Sequence, residues 1–528
     1  MADLTLAWVP PSWRKRSLTR NVVMGWTATV VGAAIALILT PLVVATLDKE
    51  LYGIFAFLNS LIIYSNLLYL GLGASFMREF SEAVGRDDTD TQARLLAVAL
   101  SVYTGIGLVC VVGALAASPF IPLMFATPLT PASAHAASTT MALLGGRLLF
   151  AFPGSAFTAL IAAHGRWDLV TGVSLIGGVV RTVAIVWALT LPRPLIGLAV
   201  VVVAEAMLML PVFAWTCRLV APHVKARFAM PTRAELRSLY GFGFQAFFVQ
   251  IALLVIAYTD TALIGMMLGP AAVTLYVLPL QLVEYSRVLV TGITQSLLPE
   301  ISALKARGNF AQLKVVYLRA ARTCAALSVF INVHLVLLGP AFLVLWVGPS
   351  FTEQAFHILL FLGIAATLAA VSTQVLIPFY QALDLLKILV GILLTEAVLN
   401  IALSLWLATT LGVWGVALAT ALPALAVTMV LAPKCMLPRL NVRLGEFFRE
   451  VVVPAAALAA AAVATQEVLS LWIGQGSYAV MTLRVACSTA AAVPVVAITF
   501  PRHEWLPLVA RVAPGLANRL QPSTRDPG

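Results

Sequence analysis

The sequence predicts an all-α polytopic membrane protein with about 14 transmembrane helices, and three observations carry that prediction. Only 10% of residues are charged, 61% are hydrophobic and the mean hydropathy is +0.98, whereas soluble domains carry roughly 25% charged residues. Stretches 21–47 and 97–134 hold no Asp, Glu, Lys, Arg or His, and about 20 apolar residues cross a bilayer. Finally, 27 of the 33 Lys and Arg residues fall in segments on one side of the predicted spans, two (Lys49 and Arg193) fall on the other, and four (Arg147, Arg181, Arg287 and Arg484) lie inside spans. A miscounted span would break that alternation downstream, so the pattern places both termini in the cytoplasm.

Segment 1–20 is polar and ends in Arg14, Lys15, Arg16 and Arg20, with Trp8 and Trp13 suited to the membrane interface. The apolar run after it is too long for a signal-peptide core, so 21–46 is an uncleaved first span with Pro41 late in it. Spans 52–77 and 92–117 follow, joined by an inner segment with Arg78, Arg86 and Arg94. Span 134–163 carries Arg147 and Pro153, 167–191 carries Arg181, and 195–219 carries Glu205. A linker, 221–238, contains "TRAEL", expected to be a capped amphipathic helix along the inner surface. Span 239–268 carries Asp260, and 271–299 carries Pro279, Glu284 and Arg287. Spans 314–346, 355–383 (Pro378), 386–410 (Glu396) and 412–437 complete the second block; 450–473, alanine-rich at 454–465, and 477–500, with Arg484, form a final pair.

The two blocks of six look related. "FMREFSEAVGRDDTDTQARLL" (76–96) aligns with "LLPEISALKARGNFAQLKVVY" (297–317), and "HGRWDL" (164–169) with "QALDLL" (381–386), setting Asp168 against Asp384. Both copies run the same way through the membrane, which makes a parallel repeat. The expected organisation is a cytoplasmic segment 1–20, an N-lobe 21–220, a linker 221–238, a C-lobe 239–438, the last two spans with their preceding loop 439–500, and a cytoplasmic tail 501–528.

Several function classes are disfavoured. The net charge of +11 is spread over many short loops rather than one patch, which argues against nucleic acid. Cys110, Cys217, Cys324, Cys435 and Cys487 are scattered without metal or redox spacing and are expected to be inert packing groups. No GxxxxGK[ST] loop occurs, so direct ATP hydrolysis is not expected. A membrane glycosyltransferase or polymerase is disfavoured because every predicted outer loop is short. No cofactor, metal or enzymatic activity is expected.

The opening of the chain resembles the polysaccharide-biosynthesis flippases of the multidrug/oligosaccharidyl-lipid/polysaccharide (MOP) exporter superfamily. The matching features are Asn21, Pro41, "LYG" (51–53), "YLGLG" (69–73), and the Arg78–Glu79 pair that follows. The family pattern has an Asp before Gly-Leu-Gly, where this chain has Leu70. The resemblance extends over roughly 20–440. It implies two six-helix lobes around a central cavity, alternating access, and a polyprenyl-diphosphate-linked saccharide carried from the inner to the outer leaflet. It also implies a place in the plasma (inner) membrane, with membrane lipids and polysaccharide polymerase machinery as partners. The alternative is a cation-coupled multidrug or small-molecule antiporter of the same superfamily.

The candidate residues are the charges deep in the spans: Arg147, Arg181, Glu205, Glu284, Arg287 and Glu396 near helix centres, and Asp260 toward the outer side. A charge at the bilayer centre costs at least ~2.5–3.5 kcal/mol, so it faces a partner or a wet cavity. Arginine suits phosphate because its planar fork donates paired hydrogen bonds and keeps its charge. Arg147, Arg181 and Arg287 are therefore candidate diphosphate or sugar-acid contacts, and Asp260, Glu284, Glu205 and Glu396 candidate coupling or gating groups. Structural readings stand beside these. Glu284 and Arg287 are three apart and able to neutralise each other. Arg181 is a candidate latch to Glu396, Arg147 a candidate partner of Glu205, Asp260 a candidate structural carboxylate bonded to a neighbouring helix, and Arg484 a candidate to snorkel outward or to pair near the outer face.

Overall fold

The computed structural model describes residues 11–69, 72–225, 227–294, 297–349, 352–474 and 476–501. Residues 1–10 of the predicted N-terminal segment, with Trp8, Leu70 of the "YLGLG" motif, and tail residues 502–528 lie outside the described residues. The described elements are all helical: α1 Pro11–Ile63, α2 Leu72–Gly85, α3 Thr89–Ala117, α4 Pro131–Ala163, α5 Trp167–Ala188, α6 Pro194–Val220, α7 Arg233–Leu268, α8 Pro270–Thr294, α9 Leu297–Ala306, α10 Phe310–Val347, α11 Thr352–Ala369, α12 Val375–Ala382, α13 Leu386–Leu411, α14 Val413–Ala426, α15 Ala432–Met436, α16 Leu444–Phe447, α17 Val453–Ser470 and α18 Tyr478–Thr499, with a few single 3₁₀ and π turns between them.

Among the described residues, 12 helical runs are long and apolar enough to cross a membrane. The predicted spans map onto these runs with two differences. The first and second predicted spans share one run, Val23–Leu68, of 46 residues. At about 1.5 Å per residue such a run would reach roughly 70 Å if straight, over twice the ~30 Å hydrocarbon core. It is not straight: Asp48 sits at φ 59°, ψ −178°. The Asp48 carboxylate then accepts from the Glu50 and Leu51 amides at 2.8 and 3.0 Å, capping the helix that restarts there. The other difference is the predicted span 412–437, whose long helix is the shorter α14, continued by the π turn Val427–Leu431 and α15.

Large apolar side chains on the outer surface confirm the solvent. Ile38, Val180, Trp215 and Trp406 are 70%, 56%, 63% and 63% exposed; many such groups on one molecule fit lipid, not water.

Two compact units form. One comprises the chain up to Leu278 together with Leu386–Thr420, and the other Pro279–Leu385 together with the chain from Ala421. In the first, Leu47, Ile54, Phe57, Phe76, Phe80 and Tyr103 are fully buried. Gly53 of the "LYG" motif has a specific task there. A Cβ on it would lie 1.8 Å from the Pro270 carbonyl oxygen, so only glycine lets α1 and the start of α8 touch. Thr274 Oγ1 locks that contact by donating to the Lys49 carbonyl at 2.6 Å.

In the second unit, Tyr317, Phe379 and Tyr380 are buried, and Tyr317 stacks on Phe447 at 6.4 Å. Lys314–Glu446 (2.7 Å) and Arg322–Glu450 (2.9 Å) tie α10 to the segment entering α17. Of the two readings of Arg484, snorkelling and pairing, the structure has a pairing, with a neutral amide rather than an acid. Arg484 is 2% exposed, with Nε donating to Gln466 Oε1 at 3.0 Å and Nη2 to the Gln466 carbonyl at 2.7 Å. The α17 backbone is within reach because Gln466 and Arg484 face each other across the α17–α18 hairpin. Three of the cysteines are buried and two half-buried, all free.

Local geometry bears on the repeat. Segments 76–96 and 297–317 both fold as a helix, a left-handed residue, an N-cap and a second helix: Asp87 (φ 54°) and Gly308 (φ 67°) are the left-handed positions. Asp88 and Asn309 are the caps, accepting from the Thr91 and Gln312 amides. These matches fall at the same offset as Glu79 and Glu300. For the later pair the register differs from the sequence alignment. The left-handed residues are Gly165 (φ 73°) and Asp384 (φ 59°), and the helices begin at Trp167 and Leu386. Asp384 thus corresponds to Gly165, not Asp168, and Arg181 corresponds to Asn400 rather than to the neighbourhood of Glu396. A three-residue slip is easy here because both turns are short and share only an acid and a leucine.

The "TRAEL" cap forms, but as the first turn of α7 rather than a separate surface helix. Thr232 Oγ1 accepts from the Glu235 amide at 3.2 Å, and Glu235 Oε2 accepts from the Thr232 amide at 2.6 Å. Arg94 grips the same carboxylate with two bonds, 2.9 and 3.0 Å. That guanidinium, helped by the Thr232 donors, holds the Glu235 carboxyl down at about 2.

Candidate functional site

In the first unit, α4, α5 and α6 bring three of the candidate charges together. Arg147 lies midway along α4, Arg181 on α5 and Glu205 on α6. A small residue allows α5 and α6 to approach: a Cβ at Gly177 would meet Met209 Sδ at 2.8 Å, while Gly145 serves the α3–α4 contact, where a Cβ would strike Ala114 at 2.1 Å. Arg181 Nη1 donates to Glu205 Oε2 at 3.1 Å; the two side chains are 40% and 17% exposed. Arg181 therefore pairs with Glu205, not with Glu396. Arg147 forms no ion pair among the described residues, and its Nε is buried without a hydrogen-bond partner. Glu205 attracts it and Arg181 repels it.

Arg147 and Glu205 line a cavity of about 350 Å³, with Ser155 and Thr158 from α4, Ser174 from α5 and Phe213 from α6. That volume is at the low end for ligand sites, near 300–1,000 Å³.

A second cluster in the same unit surrounds Asp260 of α7, which is 2% exposed. Tyr276 OH and Thr420 Oγ1 donate to Oδ2 at 3.1 and 2.6 Å, and Ser404 Oγ donates to Oδ1 at 3.0 Å. Asn400 Nδ2 donates to Thr420 Oγ1 at 3.3 Å. Beside it, Tyr64 OH and Thr259 Oγ1 share a 2.6 Å bond. Asp260 alone was legible as a candidate; Ser404, Thr420, Tyr276 and Asn400 were missed. A signal existed on α13, where Glu396, Asn400 and Ser404 repeat every four residues and are 6%, 1% and 0% exposed, a buried polar stripe on an apolar helix.

In the second unit, Arg287 Nη1 donates to Glu284 Oε1 at 2.7 Å across one turn of α8. The neutralising arrangement considered from the sequence is the one present. A separate polar network joins Ser286 Oγ, Asn332 and Thr367: Ser286 donates to Asn332 Oδ1 at 3.2 Å, and Asn332 Nδ2 to Thr367 Oγ1 at 3.1 Å. Farther along, Thr428 donates to Ser372 Oγ at 2.9 Å, linking two π turns, Ala370–Gln374 and Val427–Leu431. No cluster of three or more His, Cys, Asp or Glu able to hold a metal occurs among the described residues.

The family profile described as "Polysaccharide biosynthesis protein" matches residues 18–305. No protein of curated function matches the chain by sequence. Solved structures do match in fold. The lipid II flippase MurJ, in an inward closed conformation, is 14% identical at a TM-score of 0.66, covering 90% of this chain and 98% of that one. An inward-facing multidrug resistance MATE family transporter of the MOP superfamily is 14% identical at 0.64, covering 78% and 95%. A MOP superfamily transporter from Pyrococcus furiosus is 13% identical at 0.53, covering 81% and 97%. At such identities the likeness is one of fold.

Proposed function

Because the chain belongs to the polysaccharide biosynthesis protein family, we propose that it moves polyprenyl-diphosphate-linked saccharide units from the inner to the outer leaflet. The units would feed a surface or exopolysaccharide, and the protein would act as a transporter rather than an enzyme. The observation that carries this reading is Arg147: an arginine without an ion-pair partner among the described residues, halfway along a membrane-crossing helix, on the wall of a cavity that mixes polar and apolar groups. A stranded guanidinium at that depth is costly, and an anionic cargo gives it a purpose. The structural neighbour MurJ, a lipid II flippase, supports the same class of cargo.

In this reading Arg147 contacts the cargo directly. Arg181 and Arg287, held by Glu205 and Glu284, are contacts that become available when those pairs exchange. Asp260, caged by hydroxyls, is the coupling group for a proton or a small cation, and Glu396 lies one turn from Asn400 on the same buried stripe. With the cell interior negative, outward movement of an anion is also favoured by ~2.3 kcal/mol per charge per 100 mV. The proposed setting is the inner membrane, with 14 spans, both termini cytoplasmic, and two six-span halves alternating access, the polymer-forming machinery receiving the product.

The test is deletion of the gene. Lipid-linked saccharide should accumulate on the inner leaflet while surface polymer disappears. Normal polymer together with altered drug tolerance would instead assign the protein to the exporters of cationic compounds.

A further inference from the structure

We infer that the α4–α5–α6 cavity recognises the carboxylate of an acidic sugar, a hexuronate or a ring of the same single charge, and not the diphosphate. This rests on the flippase reading and narrows it to a class of saccharide.

The charges in and beside the cavity decide between the two anions. Arg147 and Glu205 line the cavity and Arg181 sits beside it, bonded to Glu205, so the three together leave one net positive charge there. A carboxylate matches it. A diphosphate diester carries two negative charges and would leave one uncompensated in a poorly screened place, where an unmatched charge is most costly. Arg181, bonded to Glu205 at 3.1 Å, can serve as a second phosphate ligand only by giving up that partner.

The remaining wall suits a pyranose. Ser155, Thr158 and Ser174 present hydroxyls able to exchange hydrogen bonds with ring hydroxyls, and Phe213 gives an apolar face for the C–H side of a ring. The cavity, about 350 Å³, is of a size for one ring rather than an oligosaccharide. Arg147, with Nε buried, keeps its terminal nitrogens as the donors to a carboxylate.

The experiment is calorimetric titration of the full-length protein in lipid nanodiscs with D-glucuronate, D-glucose and inorganic pyrophosphate at millimolar concentrations. Glucuronate should bind saturably and outcompete both others. Arg147→Gln should weaken it about ten- to a hundredfold, the effect of losing a charge-assisted hydrogen bond, and Arg147→Lys should recover part of that. Glu205→Gln raises the net charge by one, and should strengthen pyrophosphate more than glucuronate. Equal binding of glucose and glucuronate, tighter pyrophosphate binding by the unaltered protein, or no change on Arg147→Gln each overturns the inference. If Arg147→Gln fails to fold, the Glu205→Gln preference decides alone. Loss of polymer on gene deletion together with no glucuronate binding leaves the flippase reading and removes this one; glucuronate binding with intact polymer does the reverse.

Discussion

Replacing Arg147 with methionine should make the protein more stable and stop it working. Methionine keeps much of the side chain's length and apolar stem while removing the charge. The cation has no ion-pair partner among the described residues and a buried, unsatisfied Nε. A charge at the bilayer centre costs ~2.5–3.5 kcal/mol; Arg147 is only partly buried and is attracted by Glu205, so about half of that, ~1–2 kcal/mol, should be recovered. Arg181→Met is the matched opposite. It leaves Glu205, 17% exposed, without its 3.1 Å partner. Breaking a fully buried pair costs ~3–5 kcal/mol, and with Arg181 40% exposed the expectation falls to ~1–3 kcal/mol of destabilisation. Scanning fluorimetry of both variants in one detergent should show melting shifts of opposite sign, each roughly 1–4 °C. Polymer production in a complemented deletion strain should be lost with Arg147→Met. A methionine variant that melts lower than the unaltered protein, or one that restores polymer fully, refutes the idea that Arg147 is a functional cation held at the expense of stability.

Other outcomes follow from the same geometry. Asp260→Asn preserves the volume but removes the charge its three hydroxyl donors surround, and should abolish the response of transport to an imposed proton or cation gradient in proteoliposomes; an unchanged response removes Asp260 from coupling. Gly53→Ala puts a Cβ 1.8 Å from a backbone oxygen that cannot rotate away and should cost ~1–3 kcal/mol or more, whereas Gly113→Ala, with nothing within 4 Å, should be neutral or gain up to ~1 kcal/mol in the same melting assay. Because Glu235 titrates lower when folded, at about 2 against an ordinary 4.5, its contribution is full above about 4.5 and fades as the pH falls toward 2. Glu235→Gln should flatten stability across that window, by under ~1 kcal/mol because the pair with Arg94 is largely exposed.

The membrane class was legible because it depends on sums: apolar run length and the sidedness of Lys and Arg do not require knowing any contact. Features set by neighbours along the chain were legible too, as the Thr232–Glu235 cap shows. What the sequence hid was partner choice. From the sequence Arg181 is matched to Glu396 and Glu205 to Arg147, and only the rotation of α5 against α6 gives Glu205 to Arg181. Asp260 was visible as an anomaly, but its hydroxyl donors come from α8, α13 and α14: Tyr276 is 16 residues away, while Ser404 and Thr420 are 144 and 160 residues away and reach it only through packing. The sequence leaves Arg484 between snorkelling and pairing for a related reason. A long cation in the outer half of a span has two outlets, water or an internal acceptor, and only the packing of α17 on α18 sets the Gln466 amide opposite it. The slip between Asp168 and Asp384 shows the limit of matching by residue type, since the backbone turn carries the correspondence and tolerates either Gly or Asp.

The clamp between Gln466 and Arg484 has a consequence for biogenesis. Presented singly to the insertion machinery, α18 would carry a bare guanidinium into hydrocarbon. Its side-chain acceptor and the backbone carbonyl it grips both belong to Gln466 of the preceding segment, made moments earlier. The last two spans should therefore enter the bilayer as a preassembled pair, and Gln466→Leu should leave the chain's end unintegrated in a glycosylation-mapping assay even though it makes α17 itself more apolar.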